Sequence, residues 1–169
     1  NAYMYGFGSN KRIVLFDTLL INKGQPNSAG LKESEKGKGC TNDEVVAILG
    51  HELGHWKHGH GIKTLIIVQI YLSIKLIIFN LTFKYGPLYE AMGFPRGQQP
   101  VLVGLLIVFN LIMAPLDTAF NYIMMKMSRR NEFQADEFSV SLGYGKHLQS
   151  SLIKLYMDNL GFPANDSLY

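Results

Sequence analysis

Thr41-Asn42-Asp43-Glu44-Val45-Val46-Ala47-Ile48-Leu49-Gly50-His51-Glu52-Leu53-Gly54-His55 is the stretch from which the rest of the chain can be read. Thr41 can cap the backbone ahead of it and Glu44, three residues on, can reach back, so the pair reads as a capping box opening a helix. The helix should run over 41–60, up to Gly59 and Gly61. At roughly 100° per residue, His51 and His55 lie about 40° apart and one turn along, so both imidazoles can face one ion. Glu52 sits about 100° round from His51, placed to reach a water on that ion without being a ligand itself.

An HExxH pattern is short enough to arise by chance. The helix predicted around it on independent grounds, and an acidic ligand downstream, make it a zinc site. Catalytic zinc takes three protein ligands and keeps a fourth position open, so a third must be found. His58 shares the face of His51 but lies two turns along, and His60 falls on a poorly matched face near the helix end; both read first as structural or surface residues. The metzincin pattern needs glycine at 58 and histidine at 61, where this chain has His58 and Gly61. The better third ligand is Glu132, in Arg129-Arg130-Asn131-Glu132-Phe133-Gln134-Ala135-Asp136. Asp136, four residues on, would accept a hydrogen bond from the outer ring nitrogen of a ligand histidine, His51 by preference. The alternative is an exposed acidic face paired with Arg129 and Arg130, and Glu137 beside them reads that way.

Working outward, residues 62–83 are rich in Ile, Leu, Val, Phe and Tyr, interrupted by Lys63, Gln69 and Lys75, and as a helix span about 33 Å against a hydrocarbon core of about 30 Å. A second apolar run covers 101–127 and contains Pro115 and Asp117. Both read as transmembrane helices whose polar interruptions line a cavity or meet other helices; long buried helices of a soluble protein are the alternative. Lys75 is the residue expected to face water within the membrane. Two spans return the chain to its starting side, which a single metal site shared by His51 and Glu132 requires. The flanks on the site's side carry Lys57, Lys63, Lys126, Arg129 and Arg130, and the loop between the spans carries Lys84, Arg96 and Glu90, so the site should face the cytosol. Helices over 129–142, bearing the third ligand, and 146–160 should follow.

Before the motif, Ala2–Phe7 and Arg12–Leu19 read as a β-hairpin within residues 1–20. Residues 22–40, rich in Gly, Lys, Ser, Glu and Asn, read as a mobile surface loop. The chain of 169 residues, 47% hydrophobic with net charge +3, shows no basic cluster interleaved with aromatics, which leaves nucleic-acid binding without a footprint. Cys40 is the single cysteine, so an internal disulfide is excluded and a reducing compartment fits. No secretory signal is visible. The whole reads as a fragment of a larger protease domain. Its expected fold class is mainly α, a membrane-embedded, gluzincin-like HExxH metalloprotease core with a small hairpin edge and two transmembrane helices.

HELGHWKHGH (51–60), SRRNEFQAD (128–136) and KRIVLFDTLL (11–20) closely resemble the CAAX prenyl protease 1 type of zinc metalloprotease, and LIKLYMDNLGFPAND (152–166) points to its eukaryotic branch. The resemblance covers most of the chain outside the 22–40 loop. It implies one zinc ion held by His51, His55 and Glu132, Glu52 as catalytic base and Asp136 as the acid behind a ligand histidine. It also implies an enzyme of the endoplasmic reticulum and inner nuclear membrane that cuts prenylated CAAX proteins. Asn1, Ala2 and Tyr3 would then be a sheet edge to which an extended substrate adds as a strand, bound largely through backbone groups. The family's later His-Pro-Pro motif and its following Arg are absent from this chain. Two rival readings stand: a membrane quality-control protease acting on unprenylated proteins, and a non-enzymatic membrane scaffold with a structural zinc.

Overall fold

Helix α1 (Asn42–His58) begins where the capping box places it. Glu44 Oε2 accepts from the Thr41 backbone N–H at 2.8 Å, which satisfies one of the donors a helix start leaves open. The helix stops at Gly59, whose φ of 64° and ψ of 32° are left-handed, a conformation that costs glycine little because it has no Cβ. The computed structural model describes residues 2–6, 10–24, 32 and 37–158. The chain divides into two compact units, one of residues 1–60 and 130–169 and the other of residues 61–129.

In the first unit, β1 (Ala2–Tyr5) and β2 (Arg12–Leu15) form an antiparallel pair with Ala2 opposite Leu15 and Tyr5 opposite Arg12. The hairpin is as expected but shorter. Phe7 lies outside the described residues, and β2 stops at Leu15 because Asp17 turns the chain: its Oδ1 accepts from the Thr18 N–H at 2.8 Å and Asp17–Leu19 is a 3₁₀ turn. The ends of the expected loop are pinned, since Leu20 and Cys40 bridge and the Asn22 N–H donates to the Lys38 carbonyl at 3.1 Å. The stretches expected to be mobile, 25–31 and 33–36, lie outside the described residues. Leu19, Cys40, Val45 and Ile48 form the buried core, with Leu155 of α6 (Gly145–Asp158) packed on it. Glu44, only 4% exposed, ties α1 to α6 by accepting from Ser150 Oγ at 2.6 Å and Lys154 Nζ at 2.7 Å.

The second unit holds most of α2 (His60–Thr82), the short α3 (Gly86–Ala91), α4 (Val101–Ile107) and the start of α5 (Ala114–Ser141). Helix α2 is long and apolar enough to cross a membrane. The expected second span is not one straight helix. A π turn over Val108–Ile112 follows α4, and the axis bends by 49° on entering α5. Pro115, in the first turn of α5, lacks an N–H and its ring crowds the carbonyl four residues back, so a continuous ladder cannot pass through it. Conversely, the third-ligand helix expected over 129–142 is no separate element. It is the C-terminal half of α5. Lys75, expected to face water, instead donates to Asp117 Oδ1 at 2.8 Å, and the Tyr71 hydroxyl donates to the same carboxylate. One charged interruption of each apolar run, Lys75 of the first and Asp117 of the second, therefore satisfies the other.

Candidate metal centre

Close packing of α1 on the C-terminal half of α5 builds the site. Ala135 and Ser139 are fully buried, and Ser139 Oγ donates to the Ala47 carbonyl at 2.8 Å. Small residues line the seam: a Cβ on Gly50 would sit 3.1 Å from Ser139 Oγ, and one on Gly54 2.9 Å from Ala135 Cα. This approach brings Glu132, one turn before Ala135, over the face of α1 that carries His51 and His55.

His51, His55 and Glu132 are the group of three potential ligands found among the described residues. His51 Nε2 lies 3.2 Å from His55 Nε2 and 3.4 Å from Glu132 Oε2, and His55 Nε2 lies 3.7 Å from the same oxygen. Zinc–nitrogen and zinc–oxygen bonds near 2.0–2.2 Å put neighbouring ligands of a tetrahedron about 3.3–3.6 Å apart. The three donor atoms therefore outline one face of such a tetrahedron, and borderline N, N, O donors are a set zinc accepts. The fourth direction meets no further ligand group among the described residues, and Cys40 is buried in the core with Leu19 and Val45.

Behind these donors, His51 Nδ1 lies 2.7 Å from Asp136 Oδ1, the pairing expected from the sequence. A carboxylate there fixes the proton on Nδ1 and leaves the Nε2 lone pair for a metal. His55 has a different partner: its Nδ1 lies 3.0 Å from His60 Nδ1, and His60 Nε2 lies 3.1 Å from Gln134 Oε1. His60 is 4% exposed, so of the two readings open from the sequence, structural or surface, the structural one fits it. Five residues on a continuous helix would separate positions 55 and 60 by about 140°, but left-handed Gly59 breaks the helix and turns His60 back. Gln134 was not singled out by the sequence reasoning; the helix-breaking Gly59 before a histidine was the available signal. His58 stacks on His60, ring centroids 5.5 Å apart, and is not in the ligand group.

Glu52 is half-buried beside His51. Burial raises its carboxyl above the usual glutamate range, the neighbouring His51 works against this, and Glu132 adds to it. Burial pushes the His55 imidazole below its ordinary value, against the pull of Glu132. His51 and Glu52 also line a half-open pocket of 170 Å³, together with Ala2 of β1, Leu19, Ile48 and Leu148, Leu152 and Leu155 of α6. Of the expected edge residues, Ala2 thus reaches the site, Tyr3 is 47% exposed on the same strand, and Asn1 lies outside the described residues.

A helix-borne HExxH, a glutamate from a second helix and an aspartate behind the first histidine are the arrangement of a metallopeptidase, and the chain belongs to peptidase family M48, whose model matches residues 1–165. It is 44% identical to the CAAX prenyl protease 1 homologs of Mus musculus and Homo sapiens and 41% identical to that of Arabidopsis thaliana, in each case over the whole chain. The resemblance read from the motifs is borne out. The chain spans 40% of the length of the two mammalian relatives and 35% of the plant one. The crystal structure of Ste24p from S. mikatae superposes with a TM-score of 0.70 at 30% identity, covering 100% of this chain and 37% of that one.

Proposed function

We propose that this chain is the zinc-binding, catalytic segment of a membrane-embedded endopeptidase that cleaves prenylated CAAX-type proteins. The observation that carries the proposal is the triangle of donor atoms, with edges of 3.2, 3.4 and 3.7 Å, beside half-buried Glu52. It sits in a chain 44% identical to two CAAX prenyl protease 1 homologs.

His51, His55 and Glu132 would hold the zinc, and Asp136 would orient His51. Bound there, zinc supplies Lewis acidity, acidifying water and drawing charge from a peptide carbonyl. Glu52 takes the proton of the attacking water and delivers it to the leaving amine, a shuttle that its raised proton affinity favours. The substrate would add as a strand along Asn1, Ala2 and Tyr3, with an apolar side chain in the cavity lined by Ala2 and the α6 leucines. A closed structural zinc requires four protein ligands. Only three converge among the described residues, which speaks against a scaffold.

The membrane reading is supported by the outer surface of α2, where Ile62, Ile66, Ile70, Ile77 and Leu81 are each more than half exposed. Such a surface calls for lipid or further apolar protein around it. The endoplasmic reticulum and inner nuclear membrane, with the site toward cytosol or nucleoplasm, follow from the basic flanks on the site's side and from the resemblance to the prenyl-protease family.

The test is cleavage of a farnesylated CAAX peptide and its unprenylated twin by the purified full-length protein and its Glu52→Gln variant. Zinc-dependent cutting of the prenylated peptide alone, lost in the variant, is the expected result. Equal cutting of both peptides would favour the quality-control reading. Zinc binding without cutting of either would favour the scaffold.

A further inference from the structure

We infer that His60 and Gln134 form a positioning pair for His55, setting the tautomer that turns its Nε2 lone pair toward His51 and Glu132. This rests on the zinc reading of the site and adds to it a support for the second histidine.

Gln134 anchors the relay. Its Oε1 lies 3.1 Å from His60 Nε2, and an amide oxygen only accepts, so His60 Nε2 carries the proton. A neutral imidazole has one N–H, which leaves His60 Nδ1 as an acceptor. His55 Nδ1, 3.0 Å away, must then be the donor. His55 Nε2 is left with its lone pair, 3.2 Å from His51 Nε2 and 3.7 Å from Glu132 Oε2. Reversing the Gln134 amide would reverse each bond in turn and put a proton on His55 Nε2, where a metal could not bind. The amide orientation in the structure is thus the one that leaves His55 Nε2 open to a metal.

Two further features fit a built support. His60 is 4% exposed, so water cannot take its place against His55. Its ring meets His55 edge-on at 5.0 Å and lies flat against His58 at 5.5 Å, which fixes its plane. The two ligand histidines are therefore held unequally. His51 leans on the Asp136 carboxylate and His55 on a neutral relay, which raises imidazole basicity less than a carboxylate does.

The experiment measures zinc affinity by competition with a chromophoric chelator, and the visible absorption of the cobalt(II)-substituted full-length protein, in four variants beside the parent and His55→Ala. His60→Phe and Gln134→Leu should weaken zinc binding by about 10–100-fold and shift the cobalt bands. His60→Asn offers an amide oxygen near the place of Nδ1, and Gln134→Glu remains an acceptor. Both should stay within about threefold of the parent, well short of the loss expected for a deleted partner. A merely packing role predicts the opposite order at position 60, because Phe fills the volume and Asn leaves a void. Should His60→Phe not fold, half-buried Gln134 carries the test through its Leu and Glu variants. The inference is overturned if His55→Ala loses zinc while His60→Phe and Gln134→Leu bind it like the parent. A parent that binds no zinc would instead overturn the reading of the whole site.

Discussion

Gly54 of α1 lies against the backbone of Ala135 in α5, so closely that a Cβ at 54 would sit 2.9 Å from the Ala135 Cα and 3.0 Å from its carbonyl oxygen. In an isolated helix Gly→Ala is worth about 1 kcal/mol of added stability. Here the neighbour is main chain and cannot rotate away. Gly54→Ala should therefore destabilise the protein by about 1–3 kcal/mol, the usual range for overpacking. It should also weaken zinc binding, because Glu132 and Asp136 ride on the displaced segment. A thermal melt and a zinc titration check this; a more stable variant with parental zinc affinity would refute it.

Asp136 is expected to act through His51, whose Nδ1 is 2.7 Å away. Asp136→Ala should lower zinc affinity by about 10–100-fold while leaving the fold intact. Chelator competition measures it, with circular dichroism as the control for folding.

Glu52 and Glu132 should separate binding from chemistry. Glu52→Gln is expected to keep zinc and lose at least about 10²-fold in turnover, the lower end of what a positioned acid–base group contributes. Glu132→Ala should lose zinc first, leaving two histidines. Metal content and peptide cleavage on the same preparations distinguish the two, and a Glu52→Gln enzyme with parental turnover would remove the general-base role.

Glu44 makes stability depend on acid. Burial raises its carboxyl, but hydrogen bonds from Lys154, Ser150 and the Thr41 backbone outweigh that and hold it down at about 2, from an ordinary 4.5. A pKa lowered by folding stabilises the native state fully above the unfolded value and is lost as pH falls through the folded one. The loss should run from about pH 4.5 toward pH 2 and amount to about 2 kcal/mol, discounted because Lys154 is itself partly exposed to water. Lys154→Met should lower the melting temperature at pH 7 and flatten its fall between pH 5 and pH 3. Parallel acid profiles for parent and variant would show that the pair is not responsible.

Much of the site was legible because its signals are local. Thr41 and Glu44 mark a helix start through bonds within one turn, and the four-residue spacing of His51 and His55 fixes their common face whatever surrounds the helix. Glu132 and Asp136 were legible for the same reason, being four apart on one face. His60 was not, because counting around a helix assumes the helix continues, and left-handed Gly59 ends it one residue earlier. Pro115 was visible in the sequence, yet the 49° bend beside it is a relation between two helix axes that the residue alone does not fix.

By itself, then, the sequence determined the motif helix, the chemistry of its donors and the apolar runs, all set by spacing and side-chain type over a few turns. The tertiary structure alone decided how closely Glu132 meets the two histidines, that Lys75 meets Asp117 and that His60 turns back onto His55. Each of these joins residues through packing, where the closeness of two backbones, as at Gly54 and Ala135, fixes distances that no interval along the chain encodes.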